Sequence, residues 1–84
     1  MTNASAVSRH LRSVGFVPIP THTRNREGLR VTNDALGFVR VCADLDNERA
    51  AADMAVAART ALKAAGFAVE TNADNPAVFL VVNR

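Results

Sequence analysis

The chain has 84 residues, of which 49% are hydrophobic and 21% are charged, and its formal net charge is +2 at pH 7. This length allows one domain, and the composition is typical of a folded domain rather than of a disordered segment. The single cysteine excludes an intramolecular disulfide bond and any metal site built from several cysteines.

The positive charge is concentrated in the first half, because residues 1–40 hold six arginines and two acidic residues. Such an excess of positive charge can bind an anion, although strong nucleic-acid binders concentrate more positive charge than this. The start of the chain lacks the basic and apolar regions of a secretory signal, and no uncharged apolar run approaches the roughly 20 residues of a membrane span. Together with a lone thiol, these features predict a cytoplasmic protein without a membrane partner.

An internal repeat organises the chain. The run Leu-Arg-Ser-Val-Gly-Phe at 11–16 recurs as Leu-Lys-Ala-Ala-Gly-Phe at 62–67, and each closes an amphipathic stretch and opens a strand-like one. The ungapped alignment at an offset of 51 continues onward, placing Leu29 over Leu80 and Val31 over Val82. It predicts two helix-strand-strand units, at about 3–33 and 47–84, with an extra strand at 37–43, all within one domain at 1–84.

The first helix is indicated by apolar residues spaced three and four apart through 2–14. Thr2 or Asn3 can cap its first turn, and Gly15 suits the left-handed position after its last turn. In the motif that such a glycine closes, Phe16 packs against Leu11.

The second helix is predicted to begin after Asp46 or Asn47, either of which can cap it, and to run to residue 65. Phe67 is expected to pack against Leu62 in the same closing motif. The expected buried stripe is rich in alanine: Met54, Ala58, Ala61, Leu62 and Ala65.

Five strands are predicted, at 16–20, 28–32, 37–43, 67–71 and 77–82. Pro18 and Pro20 remove two amide hydrogens from the same side of the first strand, so that side cannot pair and the segment is an edge strand or an extended arm. The second and third strands are predicted to form a hairpin. One face of this hairpin carries its apolar residues: Leu29, Val31, Val39, Val41 and Ala43.

The order α-β-β-β-α-β-β is most simply a two-layer α+β fold, with both helices on one face of a mostly antiparallel sheet. The side chains expected to face the helices are Leu29, Val31, Val39, Val41, Phe67, Val69, Leu80 and Val82. The side chains expected on the opposite face are Arg30, Thr32, Phe38, Arg40, Cys42, Phe79 and Val81.

This opposite face is the main functional candidate, because apolar side chains bordered by arginine are typical of protein interfaces. An outer C-terminal strand would also allow two copies to pair across a two-fold axis. The alternative is a central C-terminal strand that is buried on both faces. The predicted surface for a protein partner or a second copy consists of Phe38, Cys42, Phe79, Val81, Arg30 and Arg40.

The polar segment 21–28 is a second candidate, because His22, Arg24 and Arg26 could contact phosphates. The alternative is a solvated loop. No aromatic residue is interleaved for stacking on bases, and Glu27 offsets one of the arginines.

The order α-β-β-β-α over 3–65 resembles double-stranded RNA-binding domains and the HicA-type toxins that share their topology. Double-stranded RNA binders carry a Lys-rich start on their last helix, whereas residues 46–48 are acidic or neutral here. HicA-like ribonucleases place a Gly-Ser-His turn after a Leu-x-x-x-Gly-Phe pattern, and this chain has Thr21-His22 without Gly-Ser. The resemblance implies His22 as the catalytic residue.

Other polar residues have simpler explanations. Asp44 and Asp46 could suggest a hard cation, but a strand end and a helix cap account for them. Arg40 lies two residues from Cys42, yet no His or Asn is placed to make the thiol a nucleophile. The sequence predicts no catalytic residue, no metal and no cofactor.

Across most of its length the chain resembles small uncharacterised proteins of actinobacteria and their phages. The resemblance rests on a helix ending Leu-Arg-x-x-Gly-Phe, then Arg-Glu-Gly-Leu-x-Val, then Asp-Leu-Asp before an Ala-rich helix. It implies an accessory protein that acts by binding. The leading expectation is therefore a non-enzymatic interaction module, with a nucleic-acid-binding module as the alternative and a HicA-like ribonuclease third.

Overall fold

The computed structural model describes residues 3–16, 18–19, 28–33 and 37–82. The elements are α1 (Ala4–Ser13), β1 (Pro18–Ile19), β2 (Gly28–Asn33), β3 (Val39–Asp44), α2 (Glu48–Ala64), β4 (Ala68–Thr71) and β5 (Val78–Val82). The predicted order α-β-β-β-α-β-β is confirmed.

The five strands form one sheet in the order β1-β2-β3-β5-β4. Three neighbouring pairs are antiparallel, and only β1 and β2 run parallel. The edge position of β1 agrees with the prediction from its prolines. The suggestion that the C-terminal strand is an outer strand is wrong, because β5 lies between β3 and β4.

Both helices cover the same face of the sheet, as the two-layer α+β prediction requires. Helix α1 lies against β1, β2 and β3, whereas α2 lies against β3, β4 and β5. Their apolar stripes and one face of the strands form a single core. Its members are Val7, Leu11, Leu29, Val31, Val39, Val41, Ala43, Ala51, Ala55, Ala58, Leu62, Phe79 and Val81.

Two asparagines fix the start of α1. The Oδ1 atom of Asn3 accepts a hydrogen bond from the Ala6 N–H at 2.9 Å, so Asn3 is the N-cap, one of the two residues predicted for that position. The Oδ1 atom of Asn33, at the end of β2, accepts one from the Ala4 N–H, also at 2.9 Å. Since the first amides of a helix have no partner within it, these two bonds both complete the helix and attach it to the sheet.

The two helices end in the same way, as predicted from the Gly-Phe pairs. The Phe16 N–H donates to the Leu11 carbonyl at 2.9 Å, and the Phe67 N–H donates to the Leu62 carbonyl at 3.0 Å. The intervening glycines have φ angles of +99° and +96°, which non-glycine residues rarely adopt.

The repeat does not extend to the pairing of the strands, because β1 is parallel to β2 whereas β4 is antiparallel to β5. The predicted inward orientation of Leu80 and Val82 is also wrong. Phe79 lies opposite Val41 in the register, and Val81 lies opposite Val39, so these are the β5 side chains that face the helices. The other six residues predicted to face the helices are buried in the core or packed against it.

The buried stripe of α2 is centred closer to its start than predicted. Ala58 and Leu62 are buried, and Met54 and Ala61 are half-buried. Ala65 is exposed, because the helix ends at Ala64 and Ala65 is its C-cap. The fully buried positions are Ala51, Ala55, Ala58 and Leu62.

Candidate interaction surface

The sheet face opposite α1 and α2 is defined by strand alternation. Because Val41 and Phe79 face the core, their neighbours along β3 and β5 point to the other side. We call this side the open face. Its described members within the strands are Arg30, Thr32, Arg40, Cys42, Asp44, Ala68, Glu70, Val78, Leu80 and Val82. Continuing the alternation of β3 back by one residue adds Phe38, which directly precedes that strand.

An apolar row along β5 runs through the middle of the open face. Val78 is 4% exposed, whereas Leu80 and Val82 are half-buried. Phe38 and Cys42, on the β3 side of this row, are also half-buried. The centre of the open face is therefore apolar and partly accessible to solvent.

Charged groups lie around this row. The Nε atom of Arg30 donates to Oδ2 of Asp44 at 2.7 Å, an ion pair between β2 and β3. Arg40 on β3 and Glu70 on β4 are both exposed, and each lies beside Leu80 in the strand register. Within the described part of the chain, the Arg40 guanidinium forms no ion pair.

A shallow pocket of about 310 Å³ opens at the end of this row, where β4 turns into β5. Its lining combines the apolar side chains of Val78 and Leu80 with the charged side chains of Arg40 and Glu70. The lining residues are Arg40, Glu70, Thr71, Asn72, Ala73, Val78 and Leu80.

The strand registers place three of the six predicted surface residues on the open face: Cys42, Arg30 and Arg40. Phe38, which precedes β3 and is half-buried, joins them when the strand alternation is continued by one residue. The placement of the other two is wrong, because Phe79 is 1% exposed and Val81 is fully buried in the core. These two side chains therefore cannot line a binding surface of the folded chain.

Four further residues lie on this surface without having been predicted there from the sequence: Glu70, Val78, Leu80 and Val82. Residues 77–82 are all apolar, so the segment has no alternation from which an inner and an outer face can be told apart. The available signal lay in the partner strand β3, where Arg40 and Asp44 alternate with apolar residues, and the register of β3 with β5 assigns the faces of β5.

The candidate nucleic-acid residues His22, Arg24 and Arg26 lie outside the described residues. Over the described ranges no group of three His, Cys, Asp or Glu side chains is arranged to hold a metal ion. Nor does any helix there have the length and apolar composition needed to cross a membrane.

Comparisons with protein-family models, with curated proteins and with solved structures found no match to this chain. The resemblances to actinobacterial and phage proteins and to HicA-like folds therefore stay predictions from the sequence.

Proposed function

We propose that this chain is a small non-enzymatic interaction module whose binding surface is the open face. The observation that carries the proposal is the placement of both helices on one side of the sheet, with a partly accessible apolar row on the other. Antiparallel sheets that face water on one side usually present polar side chains there. Leu80, Val82 and Phe38 depart from that pattern.

The composition of the open face supports a protein ligand. Interfaces combine an apolar centre with a polar rim, and arginine is enriched among the residues that dominate binding energy. Here Leu80 supplies an apolar centre, and Arg40 beside it supplies a guanidinium with no ion pair among the described residues.

Panning a displayed library of random peptides against the immobilised chain tests the proposal. Fluorescence polarisation then measures the selected peptides on the wild-type chain and on two matched variants. Leu80→Asp places a charge in the apolar row, and we expect it to weaken binding at least tenfold. Val56→Asp makes the same chemical change at an exposed position of α2, where Val56 is 43% exposed, and we expect no change in affinity.

The proposal is wrong if no peptide is selected, or if the selected peptides bind the Leu80→Asp chain as well as the wild type. Circular dichroism of both variants verifies that they remain folded.

The nucleic-acid alternative is tested separately, by oligonucleotide binding. If it holds, the affinity falls steeply with salt concentration and with the double substitution Arg24→Ala and Arg26→Ala. If the ribonuclease alternative holds, the chain cleaves RNA and His22→Ala abolishes the cleavage.

We further propose a cytoplasmic location, since a free thiol such as Cys42 suits a reducing compartment. We also propose an accessory role in an actinobacterium or a phage, on the basis of the sequence resemblance described above.

A further inference from the structure

We infer that the occupant of the open face is a second copy of this chain. The two copies are related by a two-fold axis that is parallel to β5 and lies between their stacked open faces. The inference rests on the proposed function, because it assigns a ligand to the same surface. It follows from the arrangement of charge and side-chain size on either side of β5.

Two side chains of opposite charge lie at equal distances on the two sides of β5. Arg40 on β3 and Glu70 on β4 both pair with Leu80 in the register, so the three residues form one row across the sheet. At a strand spacing of about 4.8 Å, the backbones of Arg40 and Glu70 are about 10 Å apart, with Leu80 midway.

Rotation about an axis along β5 exchanges the two sides of this row. When two open faces are stacked in that way, Arg40 of each copy lies over Glu70 of the other. Leu80 meets Leu80 on the axis. Each Arg40 thereby gains the opposite charge that it lacks among the described residues, and two equivalent ion pairs form.

The neighbouring row is complementary in size. Val82 pairs with Ala68 on β4, and continuing the β3–β5 register by one residue places Phe38 on the other side of Val82. The same rotation sets the half-buried Phe38 ring of one copy over the small Ala68 side chain of the other. A large side chain that faces a small one allows the two packed layers to interdigitate.

Other two-fold arrangements fit less well. An axis within the face but perpendicular to β5, through the same row, would stack Arg40 on Arg40 and Glu70 on Glu70. Edge pairing of two β4 strands would place Glu70 opposite either itself or Ala68 and would join no opposite charges. The other edge strand, β1, begins with Pro18, which has no amide hydrogen for a new strand.

The expected dimer is an aligned packing of two sheets about 10 Å apart. Its area is limited to one face of a small sheet, which places it among the smaller interfaces, below about 800 Å² for each partner. We therefore expect a weak dimer whose population rises with concentration over the micromolar range.

Exchange of the paired charges tests the inference by sedimentation equilibrium. Arg40→Glu and Glu70→Arg should each raise the dimer dissociation constant at least tenfold, because each places like charges in both ion pairs. A 1:1 mixture of the two variant chains should recover association, since each then meets its opposite. The doubly substituted chain should also recover. Arg49→Glu, at an exposed position of α2, is the matched control and should leave the dissociation constant unchanged.

Failure of this inference is distinguishable from failure of the proposed function. If the wild-type chain stays monomeric at high micromolar concentration while selected peptides still depend on Leu80, the second copy is excluded and the binding surface stands. If the wild type dimerises but neither Leu80→Asp nor the charge variants weaken it, association uses another surface and the inference is wrong. Single variants that lose association without recovery on mixing also contradict the predicted pairing.

Discussion

Phe79 on β5 lies directly opposite Val41 on β3, and both side chains are buried beneath the helices. Phe79 is the largest of the fully buried side chains among the described residues. Its replacement by alanine removes buried apolar area and leaves a cavity. We expect Phe79→Ala to lower the free energy of unfolding by about 3–5 kcal/mol. Urea unfolding followed by far-UV circular dichroism measures the change.

The adjacent residue provides the control for that substitution. Leu80 is half-buried on the open face, and we expect Leu80→Ala to lower the free energy of unfolding of the monomer by only about 1 kcal/mol. A larger loss at Leu80 than at Phe79 would mean that β5 has the opposite orientation, as the ungapped repeat alignment predicted.

Sequence patterns predicted the fold wherever a local signal determines the structure. Gly15 and Gly66 end their helices because the closing motif needs a positive φ there, and this depends on nearby residues alone. Pro18 predicted an edge strand because an amide hydrogen is missing from the residue itself. Alternation in β2 and β3 correctly predicted which side chains of that hairpin are buried.

The orientation of β5 could not be predicted in this way, because every residue of the strand is apolar. Its register with β3 is a tertiary property, continued beyond the strand by the hydrogen bond from the Ala43 N–H to the Ala77 carbonyl at 2.8 Å. The composition of the candidate surface depends on that register. The sequence therefore predicted Phe79 and Val81 on the open face, whereas their neighbours Leu80 and Val82 lie there. The Arg40–Leu80–Glu70 row became evident only from the strand order.

Asn47 caps the longer helix, and its side chain should contribute measurably to stability. Its Oδ1 atom accepts a hydrogen bond from the Ala50 N–H at 3.0 Å. Asn47→Ala removes this acceptor and should lower the free energy of unfolding by about 1 kcal/mol. Asn47→Asp keeps an acceptor and places a negative charge near the helix N-terminus, so it should be neutral or stabilising. Equal losses in both variants, measured by urea unfolding, would contradict a capping role.

Gly66 should be needed for its backbone conformation rather than for lack of space. Its φ is +96°, and a Cβ atom added there would meet no heavy atom within 4 Å. Gly66→Ala should therefore lower the free energy of unfolding by about 1–2 kcal/mol through backbone strain alone. Gly66→Asn should lose less, because asparagine tolerates positive φ better. If alanine is tolerated as well as asparagine in thermal unfolding, the left-handed end of α2 is not required.

The alanines of α2 should matter because they allow the helix to approach the sheet closely. Ala58 is fully buried in the core, whereas Ala57 is exposed on the outer side of the same helix. Ala58→Leu inserts three carbon atoms into a packed layer and should lower the free energy of unfolding by about 1–3 kcal/mol. Ala57→Leu adds the same atoms in solvent and should change it by less than about 0.5 kcal/mol. Similar free energies for the two variants in urea unfolding would mean that the layer between α2 and the sheet is loosely packed, contrary to the burial of Ala51, Ala55 and Ala58.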